Sequence, residues 1–335
     1  EPVCSEQQPA ARVPDCARAT PSAVPLARLA RDPGSDSFDG VDSFHLATDG
    51  EAIFYVSEGR VFRTPMADGI TEALTPPGSA DGWVRYADGF VYWEDDDVVQ
   101  RVPARGGLVE PLVEVPPTAI WAVAGDAILS TGAANQPSPL YRTSLTTGET
   151  TEIIAEDPDQ PIRSMRVDGD RVLVMYSDSL VTVPVTGGDV EVLASMSMSG
   201  GEPPIANEAY VYFGAMTFPT HGLYRILRDK PSAPELFLPG FPVSVALAGD
   251  DVFANVVPNL EDGEEETIGE LMRAPVRGGD PEHITFTDAR RTPSFIANST
   301  AGLLVAECTL YVIEECTDEP INEYRLVALR RPDGD

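Results

Sequence analysis

Residues 91–107 read VYWEDDDVVQRVPARGG, and this stretch carries the plan of the whole chain. Val91-Tyr92-Trp93 is a β-forming triplet, and Asp95-Asp96-Asp97 follows where a hairpin has to turn. A further strand carries Arg101 and ends on Pro103, a residue tolerated at a strand end because it removes only one ladder donor. Gly106-Gly107 then turns the chain again. Asp88-Gly89, just ahead of the triplet, supplies the positive φ values of a tight hairpin, so another strand precedes it.

The same order recurs at steps of roughly 38 to 50 residues. Asp49-Gly50, Asp88-Gly89, Gly125-Asp126, Asp168-Gly169 and Gly249-Asp250 each stand ahead of an apolar triplet. The triplets are Ile53-Phe54-Tyr55, Val91-Tyr92-Trp93, Ile128-Leu129-Ser130, Val172-Leu173-Val174, Val211-Tyr212-Phe213, Val252-Phe253-Ala254 and Leu303-Leu304-Val305. All suit a buried strand. A third strand then bears an arginine or a terminal proline, as at Arg63-Thr64-Pro65, Arg142, Val183-Pro184, Arg225 and Arg273-Ala274-Pro275. A fourth follows a glycine turn, as in 108–115, 150–156, 189–196 and 282–286. Four strands per unit of about forty residues is the signature of a propeller blade.

The expectation is therefore an all-β, seven-bladed β-propeller of four-stranded blades, at about 43–77, 83–115, 119–157, 162–196, 203–239, 242–287 and 292–332. The last unit lacks a fourth strand. An unpaired edge invites aggregation, so the N-terminal segment 23–31 is expected to complete blade seven and close the ring. Residues 1–22 form a tail and 23–335 one domain, because stacked blades bury their faces against one another without a single large core. Helical periodicity is nearly absent.

VYWEDDD also resembles the YWTD repeat: Tyr92, Trp93 and Asp95 match Tyr-Trp-Thr-Asp, with Glu94 in place of the threonine. Residues 53–69 and 211–231 are weaker relatives of the same pattern. The likeness, to extracellular propellers of the YWTD and NHL type, implies a protein-binding platform. YWTD domains have six blades, whereas the repeat count here is seven.

Charge narrows the partners. With 54 acidic against 23 basic residues the net charge is −31, which repels nucleic acid and anionic membrane surfaces. A protein or small polar ligand is the expected partner, and the chain is expected to be a monomer. Cys4 with Cys16 and Cys308 with Cys316 are expected as local disulfides, although four cysteines permit three connectivities. They imply an oxidising compartment, extracellular or periplasmic after removal of an export signal. No run of transmembrane length is present. The spacings of cysteine and histidine make no zinc motif and no cofactor is expected. Calcium is the candidate ion, at Asp95-Asp96-Asp97, at Asp168 and Asp170, or in the insertion 261–266, yet these acids lack the spacing of an EF-hand loop and read by default as solvated turns.

Catalysis finds little support. There is no GxSxG elbow, and a hydrolase or lyase with paired carboxylates at the channel mouth is the alternative to a secreted or periplasmic binding and scaffold protein. For binding, the innermost strands nominate His45, Trp83, Arg85, Trp121, Arg163 and Arg166, since tryptophan and arginine anchor recognition surfaces. An aromatic at the head of an inner strand also packs between blades. Replacing Trp83 and Trp121 by alanine is expected to weaken binding and leave unfolding nearly unchanged; a loss of fold would place them in the core.

Overall fold

The computed structural model describes residues 46–284 apart from 58, 67–68, 117–118, 134–135, 199–202, 218–219, 230–232 and 258–269, together with the backbone of 22–29, 303–306, 309–316 and 323–330. Strand β1 is Ser22–Leu29. Blade one is β2–β5 (Ala47–Thr48, Ala52–Ser57, Arg60–Pro65, Glu72–Ala73) and blade two β6–β9 (Asp81–Ala87, Phe90–Asp95, Val98–Pro103, Glu110–Glu114). Blade three is β10–β13 (Ala119–Ala124, Ala127–Ala133, Leu140–Ser144, Thr150–Ile154), and blade four β14–β17 (Ser164–Asp168, Arg171–Met175, Ser179–Pro184, Glu191–Ser195). Blade five is β18–β21 (Ile205–Ala206, Tyr210–Thr217, Thr220–Leu227, Glu235–Pro239) and blade six β22–β25 (Phe241–Ala248, Asp251–Val257, Glu270–Pro275, Glu282–His283). Strands β26–β28 (Leu303–Ala306, Thr309–Cys316, Glu323–Arg330) complete the set, and every neighbouring pair is antiparallel.

The second strand of each blade explains its unbroken apolar run. A strand in a sheet covered on both faces sends alternate side chains into two different interfaces, and both need to be apolar. Trp93 packs with Phe54 and Val61 of blade one, whereas its neighbour Tyr92 packs with Trp121 and Ile128 of blade three. Leu129 joins Met165 and Val174 of blade four, and Leu173 and Met175 on the far side of that blade meet Val211 and Phe213 of blade five. Tyr212 then faces Val252 and Ala254 of blade six. Five apolar seams thus link blades one to six. A fully buried side chain of this kind contributes about 1.5–3 kcal/mol.

The expectation of a seven-bladed propeller is corrected to six blades whose packing the structure describes. Six sheets are built from four consecutive strands and joined by those five seams. The remaining four-stranded sheet is of another construction. Its order is β1-β28-β27-β26, drawn from distant parts of the chain, and its side chains lie outside the described residues. An apolar triplet such as Leu303-Leu304-Val305 marks a strand, but a blade is established by what its faces pack against, and triplet counting registers only the first. Within this terminal sheet β1 runs beside β28, with Ser22 opposite Arg330 and Leu29 opposite Tyr324.

In four blades the arginine of the third strand has a glutamate partner in the fourth, whereas Arg142 of blade three, opposite Thr151, bonds Asp126 Oδ1 at 2.7 Å. Arg63 faces Glu72 at 2.9 Å, Arg101 faces Glu110 at 2.8 Å, Arg225 faces Glu235 at 3.1 Å and Arg273 faces Glu282 at 3.5 Å, each pair directly opposed in register. Blade four has Thr182 at that place, and Arg171 of the second strand reaches across, bonding Thr182 Oγ1 at 3.0 Å and Glu191 at 3.5 Å. The register is set by the turn between the strands. Gly106, Gly187 and Gly278 each donate a backbone N–H to the carbonyl of the closing proline, and the glycine after each has φ between 135° and 153°. A Cβ on Gly107 would sit 3.1 Å from Pro103. Because the carboxylates are more than half exposed, each pair contributes at most about 1 kcal/mol, and its main effect is to hold the outer strand in place.

Asp96 and Asp97, with φ of 48° and 65°, are the two central residues of the β7–β8 hairpin, which fits a type I′ turn. Asp95 accepts a hydrogen bond from Gln100 Nε2 at 2.9 Å. Among the described residues no group of three or more His, Cys, Asp or Glu side chains is placed to hold a metal ion, and no helix is long and apolar enough to cross a membrane. Cys4, Cys16, Cys308 and the insertion 261–266 lie outside the described residues; Cys316 enters only as backbone of β27, opposite Glu323.

Candidate functional site

The first strands of successive sheets adjoin one another, β2 with β6, β6 with β10, β10 with β14, β18 with β22 and β22 with β26, so they form the innermost layer. Three of them start irregularly. The β6–β7 register shifts between Asp81 and Arg85, the β10–β11 register between Ala119 and Trp121, and the β22–β23 register between Pro242 and Ser244. Such bulges re-aim side chains. Of the three, β6 and β10 each carry a tryptophan.

The guanidinium carbon of Arg85 lies 5.1 Å from the ring centroid of Trp83 and 5.1 Å from that of Trp121. A cation over an indole face gains about 0.5–2 kcal/mol, more as water is excluded. Trp121 belongs to blade three and is 3% exposed; its Nε1–H donates to Glu94 Oε2 at 2.9 Å. Glu94 lies near the end of β7, opposite Asp81 at the start of β6, while Arg85 lies opposite Tyr92, so the group extends from the start of β6 to beyond its middle. Trp83 and Arg85 are half-buried. The arrangement is a buried, hydrogen-bonded indole supporting an arginine and a second indole that solvent reaches.

Three of the six nominated residues therefore come together: Trp83, Arg85 and Trp121. Arg163 and Arg166 sit in blade four, half-buried and three residues apart, so strand alternation places them on opposite faces of their sheet. His45 lies outside the described residues. One expectation is corrected. Trp121 packs among Tyr92, Val99, Val115 and Ile128, so it is a core residue with a polar edge, and its removal cannot leave stability untouched. Glu94 was missed by sequence reasoning, although it stands where the YWTD pattern has threonine and the departure itself was the available signal.

No family model and no curated protein matches the chain. Solved structures do. The extracellular domain of a putative hybrid two-component system from B. thetaiotaomicron matches with TM-score 0.60 and 13% identity over 95% of this chain, which spans 40% of the length of that one. The AfRom2 CNH domain matches with TM-score 0.59 and 8% identity, over 93% of this chain and all of that one. An oligogalacturonate lyase from Vibrio parahaemolyticus gives 0.60 and 8%, over 92% and 98%. At such identities the likeness shows the fold alone. The class is settled at that level: the chain is a β-propeller.

Proposed function

We propose that this chain is an extracellular or periplasmic binding protein that presents the mouth at the start of β6 to a protein or a small polar ligand, with Trp83 and Arg85 as the contact pair. One observation carries the reading: a half-buried arginine and indole rest on a second indole that is itself immobilised by burial and by Glu94. Preorganised aromatic and arginine side chains bind with little ordering cost, which is why they dominate recognition surfaces. The blades are read as degenerate YWTD repeats. Tyr92 and Trp93 fill the two seams on either side of blade two, and Trp93 Nε1 donates to the Ser79 carbonyl, which gives both motif aromatics a structural task. Local disulfides at Cys4–Cys16 and Cys308–Cys316 belong to the same proposal, as does a monomeric state.

The test is capture by immobilised protein from the extracellular medium of the source cells, comparing the native protein with Trp83→Ala and Arg85→Met. A partner retained by the native protein and lost by both variants, with thermal unfolding little changed, is the expected result. Equal retention by all three overturns it. So does turnover of an oligosaccharide or peptide that is abolished by Glu94→Gln, which would make the mouth a catalytic site.

A further inference from the structure

Five of the interfaces between neighbouring sheets are apolar, and the next one is built differently. Blade six turns Val252, Ala254 and Val256 toward blade five. Alternation places Asn255 on the other face of β23, and the register sets Ser244 of β22 directly opposite it. That face is turned to the terminal sheet, whose β26 runs beside β22. Asn255 is 1% exposed and Ser244 4%. Ser244 Oγ and both Nδ2 and Oδ1 of Asn255 are buried with no hydrogen-bond partner among the described residues. Leu271, opposite Asn255 on β24, and Ala246, two residues from Ser244, are buried beside them.

A buried amide and a buried hydroxyl facing each other without partners are costly, and native proteins leave few such groups unsatisfied. We propose that Ser244 and Asn255 form the binding site of one internal water, which bridges the serine hydroxyl to the asparagine amide in the seam between blade six and the terminal sheet. The donor set selects this guest. Asn255 offers donors at Nδ2 and an acceptor at Oδ1, and Ser244 Oγ offers both, so the guest must donate and accept at once. It must also be small, because both side chains are already shielded from solvent. A hard cation wants six or more oxygens, and these two side chains supply two.

A high-resolution crystal structure, together with oxygen-17 relaxation dispersion on the native protein and on Asn255→Leu, tests this. The expected result is an ordered water within hydrogen-bond distance of both side chains, one fewer long-lived water in Asn255→Leu, and a Tm lower by roughly 2–4 °C. Should that variant fail to fold, Ser244→Ala gives the same readout with almost no change of volume. Density showing Asn255 bonded to a side chain of the terminal sheet, or a variant with unchanged Tm and the same number of long-lived waters, overturns the proposal.

Discussion

Arg225 and Arg85 each hold a guanidinium over two aromatic rings, the first 4.7 Å from the Tyr210 centroid and 4.9 Å from Phe237, the second 5.1 Å from Trp83 and from Trp121. Their surroundings separate them. Arg225 is 6% exposed, bonds both oxygens of Glu235 and donates to the Val276 carbonyl of blade six, so it ties two blades together. Arg85 is half-buried and is the fifth of the seven residues of an innermost strand. An arginine on aromatic rings is therefore no recognition site in itself. Saturated and buried, it is a rivet; placed where a ligand can reach it, the same chemistry becomes an anchor.

The comparison is tested first at Trp121, the buried indole beneath Arg85. Trp121→Ala is expected to cost about 3–5 kcal/mol in urea unfolding, the usual penalty for emptying a tryptophan site. Next come the paired substitutions. Arg225→Met should lose about 2–3 kcal/mol, since charged hydrogen bonds go and the Val276 carbonyl is stranded. Arg85→Met should lose less than about 1 kcal/mol, in the range of exposed changes. Equal losses would break the distinction.

Alkaline titration sharpens it further. Burial pushes the Tyr212 hydroxyl up to about 12, against the opposing pull of Arg225. Because the folded value lies above the ordinary one near 10, the contribution of Tyr212 is complete below pH 10 and fades as the pH climbs toward 12. Tyr212→Phe should flatten the fall in Tm across that interval, and an unchanged slope would remove Tyr212 from the account. The smallest effect is expected at the β7–β8 turn. Changing Asp96-Asp97 to Asn-Gly should raise stability by about 0.5–1 kcal/mol, because both residues already have positive φ.

Much of this was written in the residues. The apolar triplets announced strands buried on both faces, and Tyr92 and Trp93 fill two different seams as that reading requires. The arginine of the third strand was visible, but its glutamate was not, because the pairing depends on the register between the third and fourth strands. Counting triplets counts strands, so it returned seven where packing defines six blades. That Trp83, Arg85 and Trp121 lie on innermost strands could be read from the repeat. The burial of Trp121 and the role of Glu94 could not, since they arise where two sheets meet and leave no local pattern.

The pairing of β1 with β28 imposes a waiting time on the newborn polypeptide. Ser22–Leu29 leaves the ribosome before the strand it must join, which is translated roughly three hundred residues later, on the order of half a minute at ordinary elongation rates. Throughout that delay SAVPLARL is a β-competent segment without its lawful neighbour, open to strand addition by other chains. Biogenesis of this propeller thus depends on keeping β1 uncommitted until β28 arrives.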